Sequence, residues 1–236
     1  MVRARKPKDD PADAAATPLH DRVYQQLRTA LITGRIVPGR AVTLRGIAAE
    51  LAVSPMPVRE ALRRLAAERA LEIRSTRRVG VPRMTPHRFA ELVTARRLLE
   101  PEAAVNALAF IDRARLAEIR AADDAVEEAL RTGNVELYMD ANYRFHFLIY
   151  SAAPSSVLVP LIETLWLQFG PFMRSVYGRV GTATLEDQHE RAMEAIRRAD
   201  PVALRTAIEA DIMDGMRLIG LTELDDPEEA KPRKRG

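Results

Sequence analysis

The chain has 236 residues, of which 47% are hydrophobic and 29% charged, and this is the composition of an ordinary globular protein with room for two small domains. It contains no cysteine, which excludes disulfides, thiolate metal sites and thiol nucleophiles. The net charge is only +3, but residues 1–85 carry 17 Lys and Arg against 8 Asp and Glu, whereas residues 86–236 carry 19 against 25. This asymmetry predicts that the first third of the chain meets a polyanion.

The two ends of the chain lack any apolar period. Residues 1–17 are rich in Pro, Ala and charge, and residues 224–236 read LDDPEEAKPRKRG, so we expect both tails to be disordered. The first residues do not resemble a secretory signal, and no run approaches the roughly 20 apolar residues that a membrane helix needs. We therefore expect a soluble protein of the cytoplasm.

Three helices are predicted after the first tail. The first carries an apolar residue every four positions from Leu19 to Leu31 and ends near Gly34. The second begins after Thr43, a good N-cap residue, and runs to Leu51. The third begins at Ser54, with Pro55 at a first helical position where no backbone hydrogen bond is lost. Its predicted buried stripe consists of Val58, Ala61, Leu62 and Leu65.

A basic hairpin is predicted after these helices. Leu71 and Ile73 alternate with other residues, as do Val79 and Val81, which is the period of half-buried strands. The linking residues 75–78 (STRR) would form its tip. Three helices followed by a hairpin make a winged helix-turn-helix, which we place at residues 18–85.

A winged helix-turn-helix binds duplex DNA by placing the amino-terminal end of its third helix in the major groove. Arg59 and Arg63 lie on the face of that helix opposite the apolar stripe, and arginine can bind a guanine edge or a phosphate through two hydrogen bonds. Arg77 and Arg78 in the hairpin could reach the minor groove or the backbone. The alternative is that these arginines only solvate the surface.

The remainder of the chain is predicted to be helical, with helices near 87–110, 113–131, 134–152, 155–178, 184–199 and 201–220. The predicted fold is therefore mostly α. It consists of an N-terminal winged helix-turn-helix and a C-terminal all-helical antiparallel bundle over residues 86–223.

Four polar residues of the bundle are candidate ligands. Asn142 and His146 lie four residues apart and share a helix face, His189 begins a later helix, and Asp211 lies in the middle of the last one. If they converged, they would form an octahedral site with open positions, suited to zinc, nickel, manganese or iron. Residues so far apart in sequence can also be unrelated, and a metal-free polar pocket is a further alternative.

The segments ITGRIVPG (32–39) and PVREALRRL (57–65), in that order, resemble the winged helix of GntR-type bacterial regulators. The helical remainder resembles the FCD effector domain of the fatty-acid-regulator branch, so that the resemblance covers about residues 18–221. It implies that Arg45 and Arg59 make the principal DNA contacts, that Ser54, Met56 and Pro57 line the groove, and that Thr76 belongs to the wing tip. At Pro55 many relatives carry a base-reading arginine, so we expect a different preferred operator.

The resemblance also bears on the bundle. NYRFH (142–146) matches the family's D/N-x-x-x-H element, and His189 matches its second histidine, whereas Asp211 stands where relatives often have a third histidine. Asn142 stands where aspartate is common. Arg96, in ARRLLE, matches an arginine that faces the effector cavity and would pair with an effector carboxylate.

Together these features predict a homodimeric, effector-responsive transcriptional regulator. It would act as a repressor that is released when a small organic acid binds in the bundle, with Arg96, Asn142, His146 and His189 as effector contacts. Two alternatives remain open at this point. One is a metal-dependent enzyme in the bundle, although no second acid or base stands beside the histidines in the sequence. The other is a DNA-binding protein without an effector.

Overall fold

A computed structural model describes residues 18–39, 42–75, 78–180 and 187–220. It confirms the predicted fold class, with a small helical head that carries a sheet, followed by a helical bundle. Both tails expected to be disordered lie outside the described residues, as do Thr76 and Arg77 of the predicted wing tip.

The three helices of the head form as predicted. They are α1 (Leu19–Ile32), α2 (Leu44–Glu50) and α3 (Pro55–Ala67). The Thr43 hydroxyl caps α2 by accepting a hydrogen bond from the Gly46 backbone N–H at 3.0 Å. Ser54 occupies the N-cap position of α3, but its side chain makes no capping hydrogen bond. The apolar stripe of α3 packs into the head core, where Val58, Ala61, Leu62 and Leu65 are all buried.

The hairpin belongs to a three-stranded antiparallel sheet. Its strands are β1 (Val42–Thr43), β2 (Glu72–Ser75) and β3 (Arg78–Gly80), in the order β1-β3-β2. The sequence did not predict β1, because two residues are too short to show an alternation. Val79 and Val81 are buried as expected, but Ile73 is 56% exposed. It lies in an edge strand whose register is shifted between Ile73 and Ser75, so the simple alternation does not hold there.

The bundle contains the predicted helices in the predicted order. They are α4 (Pro86–Ala107), α5 (Arg113–Thr132), α6 (Val135–Tyr150), α7 (Leu158–Val180), α8 (Gln188–Arg197) and α9 (Pro201–Gly220), and a short 3-10 turn (Leu108–Phe110) extends α4. Helix α8 begins at 188 rather than 184, where the Asp187 carboxylate accepts the Glu190 backbone N–H at 2.9 Å. Within the described residues no helix combines the length and the apolar character that a membrane crossing requires.

Head and bundle meet where α1 packs against α7. Arg28 in α1 forms an ion pair with Glu163 in α7, with 2.8 Å between Nη2 and Oε2. Two helical turns further along α7, the backbone of Ile32 lies directly beside Gly170, which has no side chain. A Cβ at position 170 would lie 3.0 Å from the Ile32 Cα. The two parts therefore touch through a close backbone contact as well as an ion pair.

Candidate nucleic-acid interface and metal centre

The outer face of the helix-turn-helix carries arginines that form no ion pair with the described carboxylates of the protein. Arg45 in α2 and Arg59 and Arg63 in α3 are exposed, and none of them makes an ion pair with another described residue. Arg64 behaves differently, because it lies over the Tyr24 ring with its Cζ 3.7 Å from the centroid and is close to the carboxylates of Asp21 and Glu68. The first three arginines are thus available to an external anion, whereas Arg64 serves the packing of the head.

The start of α3 exposes further side chains. Ser54 is exposed, and Met56 is 70% exposed. The helix N-terminus adds a partial positive charge on the same side, but Pro55 and Pro57 have no backbone N–H, so Met56 supplies the one free donor among the first three helical residues. Pro57 was predicted to line the groove, but it is buried on the core side of α3, so it shapes the helix start rather than presenting a surface. Arg78 in β3 is exposed as well.

In the bundle, three of the four candidate ligands lie together. His146 on α6, His189 on α8 and Asp211 on α9 each offer one ligand atom, and these atoms all lie within 4.8 Å of one another. His146 Nε2 is 3.2 Å from Asp211 Oδ2, and His189 Nε2 is 3.7 Å from Asp211 Oδ1. Both histidines are buried. The packing of three helices thus brings together residues that are up to 65 positions apart in the chain.

Asn142 completes the predicted set by its position on α6, one turn before His146. Its side chain is buried and makes no hydrogen bond to any residue that the structure describes. Its amide atoms are not among the fully buried polar atoms that lack a partner, so they still border solvent-accessible space. Asn142 therefore has hydrogen-bonding or ligating capacity to spare beside the cluster.

The electrostatics of the cluster follow from burial and from its own charges. Burial would raise the pKa of Asp211, but the adjacent imidazoles of His146 and His189 outweigh it and lower that pKa to about 2. Burial would lower the pKa of His189, but hydrogen bonding to Asp123 and the charges of Asp211 and Asp123 raise it. Asp211 is therefore ionised at neutral pH, and the centre of the cluster attracts positive charge.

Sequence reasoning missed three residues that surround the cluster. Asp123 on α5 lies 2.8 Å from His189 Nδ1 through its Oδ1 atom. Tyr150 lies one turn after His146, with its hydroxyl 3.1 Å from His146 Nδ1, and it donates a hydrogen bond to Glu100 Oε2 at 2.9 Å. The spacing of four residues from His146 could have pointed to Tyr150. No sequence signal links Asp123 to His189, because the two lie 66 positions apart.

Arg96 is also buried beside the cluster, on α4. Its Nε and Nη2 atoms donate to the two oxygens of Glu100 at 2.5 Å and 3.2 Å. The guanidinium lies over the ring of Phe169, with 3.8 Å from Cζ to the ring centroid, and near Trp166. The Nη1 atom has no hydrogen-bond partner among the described residues. Arg96 is thus neutralised by Glu100 and still keeps one donor group free.

Burial and the neighbouring Glu100 carboxylate raise the pKa of Tyr150 well above its usual value. The hydroxyl therefore keeps its hydrogen throughout the physiological pH range. An unbroken series of polar contacts leads from Arg96 through Glu100 and Tyr150 to His146 and Asp211.

Helix α7 borders both parts of the molecule. Its inner face brings Trp166 within 5.3 Å of the His146 ring, measured between centroids, and places Phe169 against Arg96. Its outer face holds Glu163 and Gly170 against α1 of the head. The same helix therefore contacts the buried cluster and the helix-turn-helix.

Two family models match consecutive parts of the chain. The model described as "Bacterial regulatory proteins, gntR family" matches residues 19–81, and the FCD domain model matches residues 91–213. The boundary between the two matches falls at the start of α4, where the head ends and the bundle begins.

Several known proteins are similar to this chain over most of its length. The HTH-type transcriptional regulator McbR of Escherichia coli is 28% identical over 195 residues, which are 81% of this chain and 88% of McbR. The gluconate operon transcriptional repressor of Bacillus subtilis is 25% identical over 189 residues, 76% of each chain. The solved structure of E. coli McbR/YncC superposes with a TM-score of 0.81 at 25% identity, covering 87% of this chain and 99% of that one.

Proposed function

This chain belongs to the GntR family of bacterial regulatory proteins and carries an FCD domain. From that premise we propose that it is a transcriptional repressor that dissociates from operator DNA when it binds a small organic acid. The observation that carries the proposal is the position of α7, which touches both the buried cluster and the DNA-binding head. An enzymatic role is not proposed, since the matched families and relatives are transcriptional regulators.

The head would bind DNA with the exposed face of α2 and α3. Arginines without an internal partner are suited to phosphate or guanine, because binding costs no existing ion pair. We assign the contacts to residues that are exposed or that belong to the wing, namely Arg45, Ser54, Met56, Arg59, Arg63, Thr76, Arg77 and Arg78. Pro57 is left out because it is buried.

Two heads would read a pseudo-palindromic operator if the protein is a homodimer. Large apolar side chains exposed on the bundle support an association of this kind. Leu98 on α4 is 68% exposed and Phe110 is 56% exposed, and burying such groups against a second copy is favourable.

The cluster of the bundle fits a divalent metal ion. Two buried imidazoles and an ionised carboxylate converge there, and Asp123 holds His189 in the manner of a carboxylate–histidine pair at a metal site. His146, His189 and Asp211 would hold the ion, and the spare amide of Asn142 is available as a further ligand. These donors suit zinc, nickel, manganese or iron. When bound, such an ion would supply an attachment point for oxygen atoms of the effector.

Arg96 would provide a second contact for an acidic effector. Its Nη1 group is free to donate, whereas Nε and Nη2 remain with Glu100. A carboxylate at this place would also touch the aromatic rings of Phe169 and Trp166.

The cytoplasm, where metabolites of this class occur and where DNA is bound, is the expected location of the protein.

The effector would act on DNA binding through α7. A ligand can shift a conformational equilibrium only if it binds the two states with different affinity. A ligand that displaced Trp166 or Phe169 would shift the inner face of α7. The outer face would pass that shift to α1, because the backbones at Gly170 and Ile32 are in close contact. The orientation of the head, and with it the spacing of the two heads in a dimer, would change.

The proposal is tested with purified full-length protein. Elemental analysis measures bound metal, and fluorescence anisotropy measures affinity for duplexes taken from upstream of the protein's own gene, with and without a panel of organic acids. We expect the protein to carry metal, to bind one duplex in a salt-dependent manner and to release it with at least one acid. A protein that ignores every duplex at low salt overturns the DNA-binding assignment.

The metal assignment has its own variants. His146→Ala combined with His189→Ala should abolish metal uptake, whereas His87→Ala, at an exposed histidine outside the cluster, should not. Wild-type protein that contains no metal and takes up none would instead favour a metal-free polar pocket. If no metal and no acid raises the melting temperature, the protein binds DNA without an effector.

A further inference from the structure

The structure assigns to Tyr150 and Glu100 a positioning role: together they fix the tautomer of His146, so that its Nε2 lone pair faces Asp211 and can bind a metal. This inference rests on the proposed metal site, and it concerns two residues that sequence reasoning did not identify. Tyr150, Glu100 and His146 are all buried, so water does not compete for the hydrogen bonds between them.

The ion pair between Arg96 and Glu100 in α4 fixes the first hydrogen bond of the series. Glu100 receives two hydrogen bonds from Arg96, which balance the charge of the carboxylate and fix its orientation. An ionised carboxylate can only accept hydrogen bonds. The hydroxyl of Tyr150 lies 2.9 Å from Glu100 Oε2, and it therefore must direct its hydrogen toward Glu100.

A phenol has one hydrogen, and in Tyr150 that hydrogen is already committed to Glu100. The only interaction left to the hydroxyl oxygen toward His146 Nδ1, 3.1 Å away, is to accept. His146 Nδ1 thus carries a hydrogen in both the neutral and the charged imidazole. In the neutral ring the other nitrogen, Nε2, then has its lone pair free, and it lies 3.2 Å from Asp211 Oδ2.

The same tautomer occurs at the second histidine for a different reason. Asp123 accepts from His189 Nδ1, so His189 also presents the lone pair of Nε2 to Asp211. In the neutral rings, two lone pairs and a carboxylate would face one another without a hydrogen between them, an unfavourable arrangement that a proton on Nε2 also relieves. A cation at that point removes the conflict, which is why residues outside the cluster control its affinity for metal.

The test uses Tyr150→Phe in the full-length protein, because phenylalanine keeps the ring and removes only the hydroxyl. We expect affinity for Zn²⁺, measured by competition with a chromophoric chelator, to fall by about 10- to 100-fold. The matched control is Tyr24→Phe. Tyr24 also donates its hydroxyl hydrogen to a carboxylate, Glu68 Oε1 at 2.8 Å, but it lies in the head, and its loss should leave Zn²⁺ affinity unchanged.

A second readout separates positioning from a general effect on packing. Long-range ¹H–¹⁵N spectra of the metal-free protein at alkaline pH report which ring nitrogen of each histidine carries the hydrogen. The wild type and Tyr24→Phe should show His146 as the Nδ1–H form. In Tyr150→Phe, His146 should populate the Nε2–H form, since Nδ1 has lost its acceptor and Asp211 accepts from Nε2.

Glu100→Gln provides a variant with an independent expectation. The oxygen of the new amide should remain toward Arg96 Nε, so its NH₂ group takes the place of Oε2 and donates to Tyr150. The tyrosine hydroxyl must then turn its hydrogen to His146 Nδ1. We expect His146 to switch to the Nε2–H form and Zn²⁺ affinity to fall, although the tyrosine is intact.

These results distinguish the possible failures. If the His146 tautomer and the Zn²⁺ affinity of Tyr150→Phe and Glu100→Gln both match the wild type, the positioning role is wrong. If the wild type binds no Zn²⁺, the proposed metal site is wrong, and the tautomer measurements on metal-free protein still decide whether Tyr150 and Glu100 orient His146.

Discussion

Gly170 in α7 lies against the backbone of Ile32 in α1, so that a Cβ at position 170 would stand 3.0 Å from the Ile32 Cα and 3.1 Å from its carbonyl oxygen. Neither group can rotate out of the way, because both belong to helical backbone. A side chain at position 170 would therefore require the backbones of α7 and α1 to move apart by a few tenths of an ångström.

Gly170→Ala should therefore loosen the contact between the two parts. The matched control is Gly215→Ala in α9, where an added Cβ meets nothing within 4 Å and the helix gains up to about 1 kcal/mol from alanine. We expect the free energy of unfolding of Gly170→Ala to lie about 1–3 kcal/mol below that of Gly215→Ala. Urea unfolding measures the difference, and equal stabilities would show that α7 and α1 separate without cost.

Arg59→Ala should weaken operator binding by about 1–3 kcal/mol, roughly 5- to 150-fold, if its contact is to a base. Arg64→Ala serves as control on the same helix, since Arg64 is engaged with Tyr24 and two carboxylates. It should lower stability and leave DNA affinity nearly unchanged. Anisotropy titrations at two salt concentrations measure both, and a control that loses as much affinity as Arg59→Ala would contradict the assigned surface.

Arg69 follows the end of α3 with a positive φ of 59°, a conformation that costs an ordinary residue roughly 1 kcal/mol and glycine very little. Arg69→Gly should therefore raise the free energy of unfolding by about 1 kcal/mol. Arg63→Gly makes the same chemical change inside α3 and should lower it by about 1 kcal/mol. Thermal unfolding measures whether the stability rises in Arg69→Gly and falls in Arg63→Gly. A lower stability in both variants would show that the Arg69 side chain itself stabilises the head.

Asp123→Asn should reduce metal affinity about 10-fold or more, because a neutral amide orients and polarises His189 less strongly than a carboxylate. The adjacent Asp124 is exposed, so Asp124→Asn changes the net charge equally without touching the cluster. Zn²⁺ competition titrations should show a loss only in the first variant. An equal loss of Zn²⁺ affinity in both variants would show that the effect comes from long-range charge and not from contact with His189.

The order and type of the elements could be predicted from the sequence, because apolar periodicity and capping residues such as Thr43 act locally. What the sequence could not show are features set by tertiary contacts. The short strand β1 (Val42–Thr43) exists only because β3 pairs with it, and the burial of Pro57 depends on the packing of α3 against the head core. Neither leaves a periodic signal.

The candidate site was predicted unevenly for a similar reason. His146, His189 and Asp211 stand out as rare side chains with ligating atoms, and the structure brings them together. Asp123 and Glu100 are two of the 33 acidic residues in the chain, and nothing in their local sequence separates them from those that solvate helix surfaces. Their importance arises only from the crossing of helices that are distant in sequence.

The replacement of a third imidazole by the carboxylate of Asp211 has a consequence for electroneutrality. Arg96 and Glu100 cancel each other, and beside two neutral imidazoles the carboxylates of Asp211 and Asp123 together would balance the charge of a divalent ion. An uncompensated charge in such surroundings is costly, so this balance would favour a divalent ion over a monovalent or trivalent one. With a carboxylate rather than a third imidazole at position 211, the proposed site would thus take up such an ion without acquiring a net charge.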